Sequence, residues 1–123
     1  MAKTTLKVAL LASLIGLSSA ASAVGSIQGK IFRLHLNPVS GLVLIQTNLA
    51  KTGTPPTCSN HATWDFAMKL PVNTPAPANT FTRDTLALLL TAQASGRDVL
   101  IQGVGTTCVA YSAAEDIGSV YMY

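Results

Sequence analysis

Apolar and polar positions alternate with a period of two along residues 26–36, SIQGKIFRLHL. Such alternation is typical of a β-strand, because successive side chains of a strand point to opposite faces. Phe32, Leu34 and Leu36 share one parity, whereas the apolar positions up to Ile31 have the other. The pattern therefore predicts a long first strand whose inward face switches near Ile31, and the glycine just before the switch indicates a β-bulge or a sharp bend.

Four more segments have strand-like patterns. Residues 42–47 are apolar enough to be buried on both faces, and the turn-forming residues 37–41 before them predict a hairpin with the first strand. The third strand alternates, with Trp64, Phe66 and Met68 on one face. The predicted elements outside the helix are strands over residues 26–36, 42–47, 63–70, 97–105 and 116–123, and an extended, proline-rich connection over residues 71–80.

One helix is predicted over residues 80–96. Thr80 or Thr82 can cap its start, and Asp84 is expected in the first turn, where the helix dipole favours an anion. Gly96 supplies a left-handed end. The leucines of this segment form a broad apolar stripe, so one side of the helix should pack on the sheet, and leucines that point away would require a partner chain.

The N-terminus has the layout of a secretory signal peptide. Lys3 and Lys7 precede the apolar residues 8–17, and an Ala-Ser-Ala tripeptide follows. An apolar run of about 10 residues is too short to span a bilayer core as a helix, so a retained membrane anchor is the weaker interpretation. We predict that residues 1–23 are removed and that residues 24–123 form a single domain, secreted or periplasmic, with no membrane span.

The charge balance argues against nucleic acid as a partner. The whole chain has 8 Lys and Arg against 5 Asp and Glu. Two of the lysines lie in the predicted signal peptide, which leaves six basic residues and a net charge of about +1. Because binding of single-stranded nucleic acid requires basic residues interleaved with aromatic ones along one face, we predict no nucleic-acid partner.

The segment CSNHATWDF concentrates residue types that react or bind metals. Export to an oxidising compartment nevertheless predicts a disulfide between Cys58 and Cys108. A cysteine nucleophile would require an unpaired Cys58 beside a base such as His61. A zinc site would require three or four ligands, and the predicted mature chain has only two histidines besides the two paired cysteines. Glu115 and Asp116 would point to opposite faces of a strand, which is a poor geometry for acid–base catalysis. We therefore predict no catalytic residue, no metal site and no cofactor.

The predicted order of strand, strand, strand, helix, strand, strand is that of the OB-fold, a mainly-β, five-stranded Greek-key barrel with one helix. The chain also resembles the secreted B subunits of the subtilase and pertussis-like toxins. The likeness is carried by the leader ending SSAASA, the strands IFRLHL and TWDFAMKL, the helix end and following strand LLTAQASGRDVLIQG, and the short final strand. These segments cover about half of the mature chain.

The resemblance implies an OB-fold protein that assembles as a ring of five, binds cell-surface glycans and delivers a separate catalytic A subunit. In sialic-acid-binding members of that family, a serine at the start of the first strand contacts the sugar, and Ser26 is the nearest match here. The surrounding residues, AVGSIQG, lack the tyrosines and acids of that pocket. This departure from the family pattern argues against sialic acid as the ligand, and Ser26 is kept as a candidate ligand residue.

Glycan binding in general requires an exposed aromatic face for the sugar ring and polar groups for its hydroxyls or carboxylate. The candidates that fit this description are three tyrosines and two cations: Tyr111, Tyr121, Tyr123, Arg33 and Lys51. Each also has an ordinary structural interpretation, because tyrosines of small barrels are usually half-buried and a strand arginine usually faces solvent. Trp64 is predicted to be a core residue or a subunit contact, with a platform for a ligand as the alternative.

Two functional hypotheses follow, and neither is catalytic. The first is a ring-forming, glycan-binding B subunit that works with a toxin A subunit. The second is a stand-alone exported OB-fold protein with an envelope, inhibitory or ligand-binding role. The two differ in the oligomeric state that they predict.

Overall fold

The computed structural model describes residues 24–71 and 80–123. The predicted signal peptide and all but the ends of the predicted connection over residues 71–80 lie outside the described residues. The elements, in chain order, are β1 (Gly25–Leu36), β2 (Leu42–Thr47), β3 (Thr52–Gly53), β4 (Phe66–Lys69), α1 (Thr80–Ser95), β5 (Asp98–Gly103) and β6 (Glu115–Met122).

Five of the strands close into a barrel. Going round the barrel, β1 pairs with β2, β2 with β4, β4 with β6, β6 with β5, and β5 again with β1. The β4–β6 pair is parallel and the others are antiparallel. With α1 between β4 and β5, this arrangement is OB-fold-like, so the predicted fold class is confirmed. The predicted count of five strands requires one correction, because the two-residue β3 pairs with the start of β1 and makes six.

The barrel interior holds the main hydrophobic core. β2 contributes side chains to both of its faces, as predicted, because Val43 and Ile45 point inward and Leu44 is buried on the outer side. The helix packs Leu89 and Ala92 against the core. Burial of each large apolar side chain stabilises the fold by roughly 1.5–3 kcal/mol. The largest fully buried apolar side chains are Phe66, Ile27, Ile45, Leu89, Ile101, Val43 and Val99.

The predicted switch of face in the first strand is confirmed as a β-bulge. Ile31 pairs with Thr47 and Arg33 with Gln46, so Phe32 is the extra residue of β1. The expectation that Phe32 faces inward is wrong: its side chain is 63 % exposed, because a bulged residue leaves the regular alternation. Of the other two residues expected to face inward, Leu34 packs against the core, whereas Leu36 is exposed, contrary to the prediction.

The third predicted strand begins later than its pattern indicates. β4 starts at Phe66, and Trp64 lies before it, so Trp64 does not share a face with Phe66. The Asp65 carboxylate accepts the Thr47 N–H and hydroxyl, at 2.8 and 3.0 Å, which holds the chain at the entry to the strand. Trp64 instead packs against Ala67 and neighbouring residues on the outer side of the barrel.

The helix begins at Thr80 and ends as predicted. Gly96 has φ of 67°, and the N–H groups of Gly96 and Arg97 donate to the carbonyls of Gln93 and Ala92, which is a Schellman ending. Because the helix starts at Thr80, Asp84 lies beyond the first turn, contrary to the prediction. In the part of the chain that the structure describes, no helix combines the length and apolarity needed to cross a bilayer.

Candidate functional site

An aromatic and cationic surface lies on the outer side of β1, β2 and β4. We call it the Trp64 surface, and it consists of Phe32, Arg33, His35 and Trp64. The Arg33 guanidinium carbon lies 5.8 Å from the centre of the Phe32 ring and 5.9 Å from that of Trp64. The His35 ring centre is 6.1 Å from that of Trp64. The first three side chains are exposed and Trp64 is half-buried, so the surface offers ring faces and hydrogen-bond donors to solvent.

The local sequence explains why these side chains meet. Arg33 and His35 are two positions apart in β1 and therefore project from the same face, opposite Gln46 and Leu44 of β2. The bulge turns Phe32 outward beside Arg33. Each exposed cation–π contact contributes about 0.5–1 kcal/mol, so the stacking favours this arrangement of the guanidinium without burying it.

Two loops cover the outer side of the barrel next to this surface. The predicted disulfide is confirmed, and it joins Cys58 of the loop before β4 to Cys108 of the loop between β5 and β6. The loops bury Leu44, Ala67 and Ala114, against which Trp64 and the half-buried Tyr111 pack together with other apolar residues. The disulfide therefore ties together the loops that carry Trp64 and Tyr111.

His61 connects these loops to Trp64. Its Nδ1 accepts the N–H of Thr63 at 3.0 Å and that of Trp64 at 3.1 Å. The backbone N–H of His61 donates to the Ala113 carbonyl, and the imidazole and Tyr111 rings pack edge to face with centres 5.7 Å apart. His61 therefore connects the two loops through its backbone and its ring.

A buried ion pair lies inside the barrel behind the site, and the sequence analysis did not foresee it. Glu115 is 0 % exposed, and its Oε2 lies 3.2 Å from Lys51 Nζ. Its Oε1 accepts the N–H groups of Gly25 and Gly105 at 3.2 and 3.1 Å. Gly103 is required as well, because a Cβ there would lie 2.0 Å from the Glu115 carboxyl carbon. A glycine-lined space with a matched cation therefore accommodates the carboxylate.

Lys51, predicted as a partner of a ligand carboxylate, is used by the fold itself. Its ammonium donates to Ser59 Oγ at 3.0 Å, to the Asp65 carbonyl at 2.6 Å and to Glu115, and it lies 4.1 Å from the centre of the Phe66 ring. Because an ammonium has three donors, Lys51 has none left for a ligand in this arrangement.

Asp116 points to the opposite side of β6 from Glu115, as expected. Its carboxylate accepts the Thr107 hydroxyl at 2.7 Å and the N–H groups of Val109 and Ala110, each at 2.8 Å. Burial by itself raises the pKa of this carboxyl, but the hydrogen bonds from Ala110, Thr107 and Val109 outweigh burial and hold the pKa of Asp116 below its usual value. Asp116 therefore fixes the loop that carries Cys108.

The remaining predicted ligand residues are spread over other parts of the barrel. Ser26 lies in β1 between Gln102 of β5 and β3, at the opposite end of the strand from the bulge. Tyr121 and Tyr123 are about half exposed at the end of the chain, and Tyr121 lines an open groove of about 380 Å³ with Leu88 of α1. Of the predicted residues, only Arg33 and Tyr111 have contacts that connect them with Trp64.

Within residues 24–71 and 80–123, no group of three or more His, Cys, Asp and Glu side chains is arranged to hold a metal ion. Comparison of the chain with known protein families, curated proteins and solved structures found no match. Functional inference therefore depends on the geometry of the site and on the resemblance noted in the sequence.

Proposed function

We propose that this chain is an exported, non-catalytic binding protein that recognises a cell-surface glycan through the Trp64 surface. The observation that supports this most directly is the Arg33 guanidinium within 6 Å of the centres of both the Phe32 and the Trp64 rings on an outward face. An aromatic face packs against the apolar side of a sugar ring, and a guanidinium donates to hydroxyls or to a carboxylate. The Trp64 surface combines both requirements within one sugar-sized area.

The position of the surface on the barrel supports the same proposal. OB-fold proteins bind oligosaccharides and oligonucleotides on the face of their second and third main strands, here β2 and β4. Trp64 packs on that face through Leu44 and Ala67. A net charge of about +1 after signal removal favours a saccharide over a polyanionic nucleic acid.

The proposal includes assembly. The resemblance to toxin B subunits implies a ring of five and a separate A subunit. One surface feature agrees with association: the exposed side of α1 carries Ala87, Leu90 and Ala94, and α1 has no charged residue after Asp84. Size-exclusion chromatography with light scattering on the oxidised protein tests this part. A monomer at micromolar concentration would exclude the ring and leave the stand-alone binding protein.

A glycan array followed by calorimetry with the best-bound glycan tests the binding site. Arg33→Ala should weaken binding about tenfold or more, because a hydrogen bond to a charged group contributes about 1.5–3 kcal/mol. Phe32→Ala should also weaken binding, and both exposed positions leave the core intact.

Tyr121→Ala is the matched control, since Tyr121 is an exposed aromatic residue on another face. If Tyr121→Ala abolishes binding while the Phe32 and Arg33 variants bind normally, the glycan lies in the groove beside α1 and the assignment to the Trp64 surface is wrong. No binding to any glycan on the array would reject glycan recognition itself.

A further inference from the structure

We infer that His61 is the positioning residue of Trp64 and that protonation of His61 releases the tryptophan from the Trp64 surface. The functional consequence, weaker glycan binding at acidic pH, depends on the proposed function. The control of Trp64 by His61 does not, and it can be tested without a ligand.

The geometry determines the protonation state that His61 needs. Nδ1 accepts two backbone N–H groups, from Thr63 and Trp64, so this nitrogen carries a lone pair and the proton of the neutral ring is on Nε2. A proton added to Nδ1 would face two other donors. Both hydrogen bonds would then be lost at once, because an imidazolium nitrogen cannot accept.

Loss of the two hydrogen bonds to Nδ1 would affect the short segment between His61 and β4. Trp64 precedes β4, so no strand ladder holds its backbone, whereas the next residue is anchored: the Asp65 N–H donates to the Ile45 carbonyl and its carboxylate accepts from Thr47. Protonation of His61 is therefore expected to free residues 62–64, while β4 stays in place and the His61 backbone stays bonded to the Ala113 carbonyl. The Trp64 ring would then lose its packing against the outer cluster.

The titratable and charged groups around His61 lie on its own loop and on the neighbouring one. The ring of Tyr111, on the neighbouring loop, contacts the His61 imidazole. In the loop of His61 itself, the Asp65 carboxylate is turned to Thr47, and the Lys51 ammonium that reaches this loop bonds Ser59. The disulfide-bonded cysteines do not titrate.

On the side of Trp64, two cationic or titratable groups face the indole: Arg33 and His35. His35 is an imidazole like His61, so a proton on His35 would also change the charge beside Trp64. A test must therefore separate the two histidines.

The only tryptophan of the chain supplies the signal, so fluorescence of the whole exported protein reports on Trp64. Emission maximum and iodide quenching are measured from pH 8 to pH 5 for the wild type, His61→Asn, His61→Ala and His35→Gln, with far-UV circular dichroism to verify the fold. Asparagine is the conservative replacement because its side-chain oxygen accepts N–H groups two and three residues ahead and does not titrate.

The expected result is a transition to a red-shifted, more quenchable state between pH 7 and pH 5 in the wild type and in His35→Gln. His61→Asn should keep the neutral spectrum throughout, and His61→Ala should resemble the acid form at every pH. The absence of a transition in the wild type, an unchanged transition in His61→Asn, or its loss in His35→Gln would each overturn the inference.

The functional arm uses the glycan selected on the array. Wild-type affinity should fall about tenfold from pH 7.5 to pH 5.5, equivalent to about 1.4 kcal/mol, whereas the affinity of His61→Asn should stay constant. Equal losses in both proteins would show that His61 does not regulate binding. If the array yields no glycan, the proposed function fails, and the fluorescence result still decides whether His61 positions Trp64.

Discussion

The buried Lys51–Glu115 pair predicts a large loss of stability when one partner is removed. Lys51→Met keeps most of the side-chain length but deletes three hydrogen bonds and the contact with Phe66. The variant leaves a carboxylate that is 0 % exposed with only the N–H groups of Gly25 and Gly105 as donors. Breaking a buried pair in this way costs about 3–5 kcal/mol. For a domain of about 100 residues, the melting temperature should fall by on the order of 20 °C.

A double variant tests whether the cost comes from the stranded charge. Lys51→Met with Glu115→Gln removes both charges and keeps a side-chain carbonyl for Gly25 and Gly105. The double variant should therefore be less destabilised than the sum of the two single variants, with a coupling free energy of about 1–3 kcal/mol.

The assay is equilibrium unfolding in guanidinium chloride, followed by Trp64 fluorescence and by far-UV circular dichroism. The surface pair Lys30–Asp98 provides the matched control: its N–O distance is 3.0 Å, but its side chains are 57 % and 50 % exposed. Lys30→Met should cost less than about 1 kcal/mol. Equal losses for the two lysine variants, or additive effects in the double variant, would refute the reasoning that burial makes the difference.

Three other predictions concern the disulfide, Gly103 and the loss of stability at low pH. Cys58→Ser and Cys108→Ser should each destabilise by a similar amount, about 4 kcal/mol in the chain-entropy model for a sequence separation of 50, and unequal shifts in thermal melts would contradict the prediction. Gly103→Ala should prevent the native packing of Glu115, so circular dichroism should show little folded protein at 25 °C. Because the pKa of Asp116 is lowered in the folded state, its contribution is complete above about pH 4 and is lost as the pH falls through the folded pKa, so Asp116→Asn should flatten the decline of the urea midpoint below pH 4.

Local patterns in the sequence were sufficient to predict the fold class. A period of two marks most of the barrel strands, and Gly96 ends the helix because few other residues adopt φ near 67°. The additional strand β3 could not be predicted, since two residues show no period and its pairing with β1 joins positions 26 residues apart. The bulge was foreseen near Ile31, but which residue it would expose depends on the pairing with β2.

The site was less predictable, because its key contacts join distant positions. Glu115 and Lys51 are separated by 64 residues. In the sequence alone, a glutamate or a lysine is expected to be exposed to solvent. The place of Trp64 was extrapolated from the alternation of Phe66 and Met68, whereas the hydrogen bonds of Asp65 to Thr47 end that alternation. What decides these positions is side-chain pairing across strands, which no local pattern contains.

The adjacent acids of β6, Glu115 and Asp116, bond the loop between β5 and β6 from the two faces of the strand. Because neighbouring strand residues point to opposite faces, Glu115 binds Gly105 from inside while Asp116 binds residues 107–110 from outside. The loop that supports His61 through Ala113 is therefore held at its base by two carboxylates and by Cys108. With that loop fixed, a proton on His61 can move only the segment on the other side of the imidazole, and that segment carries Trp64.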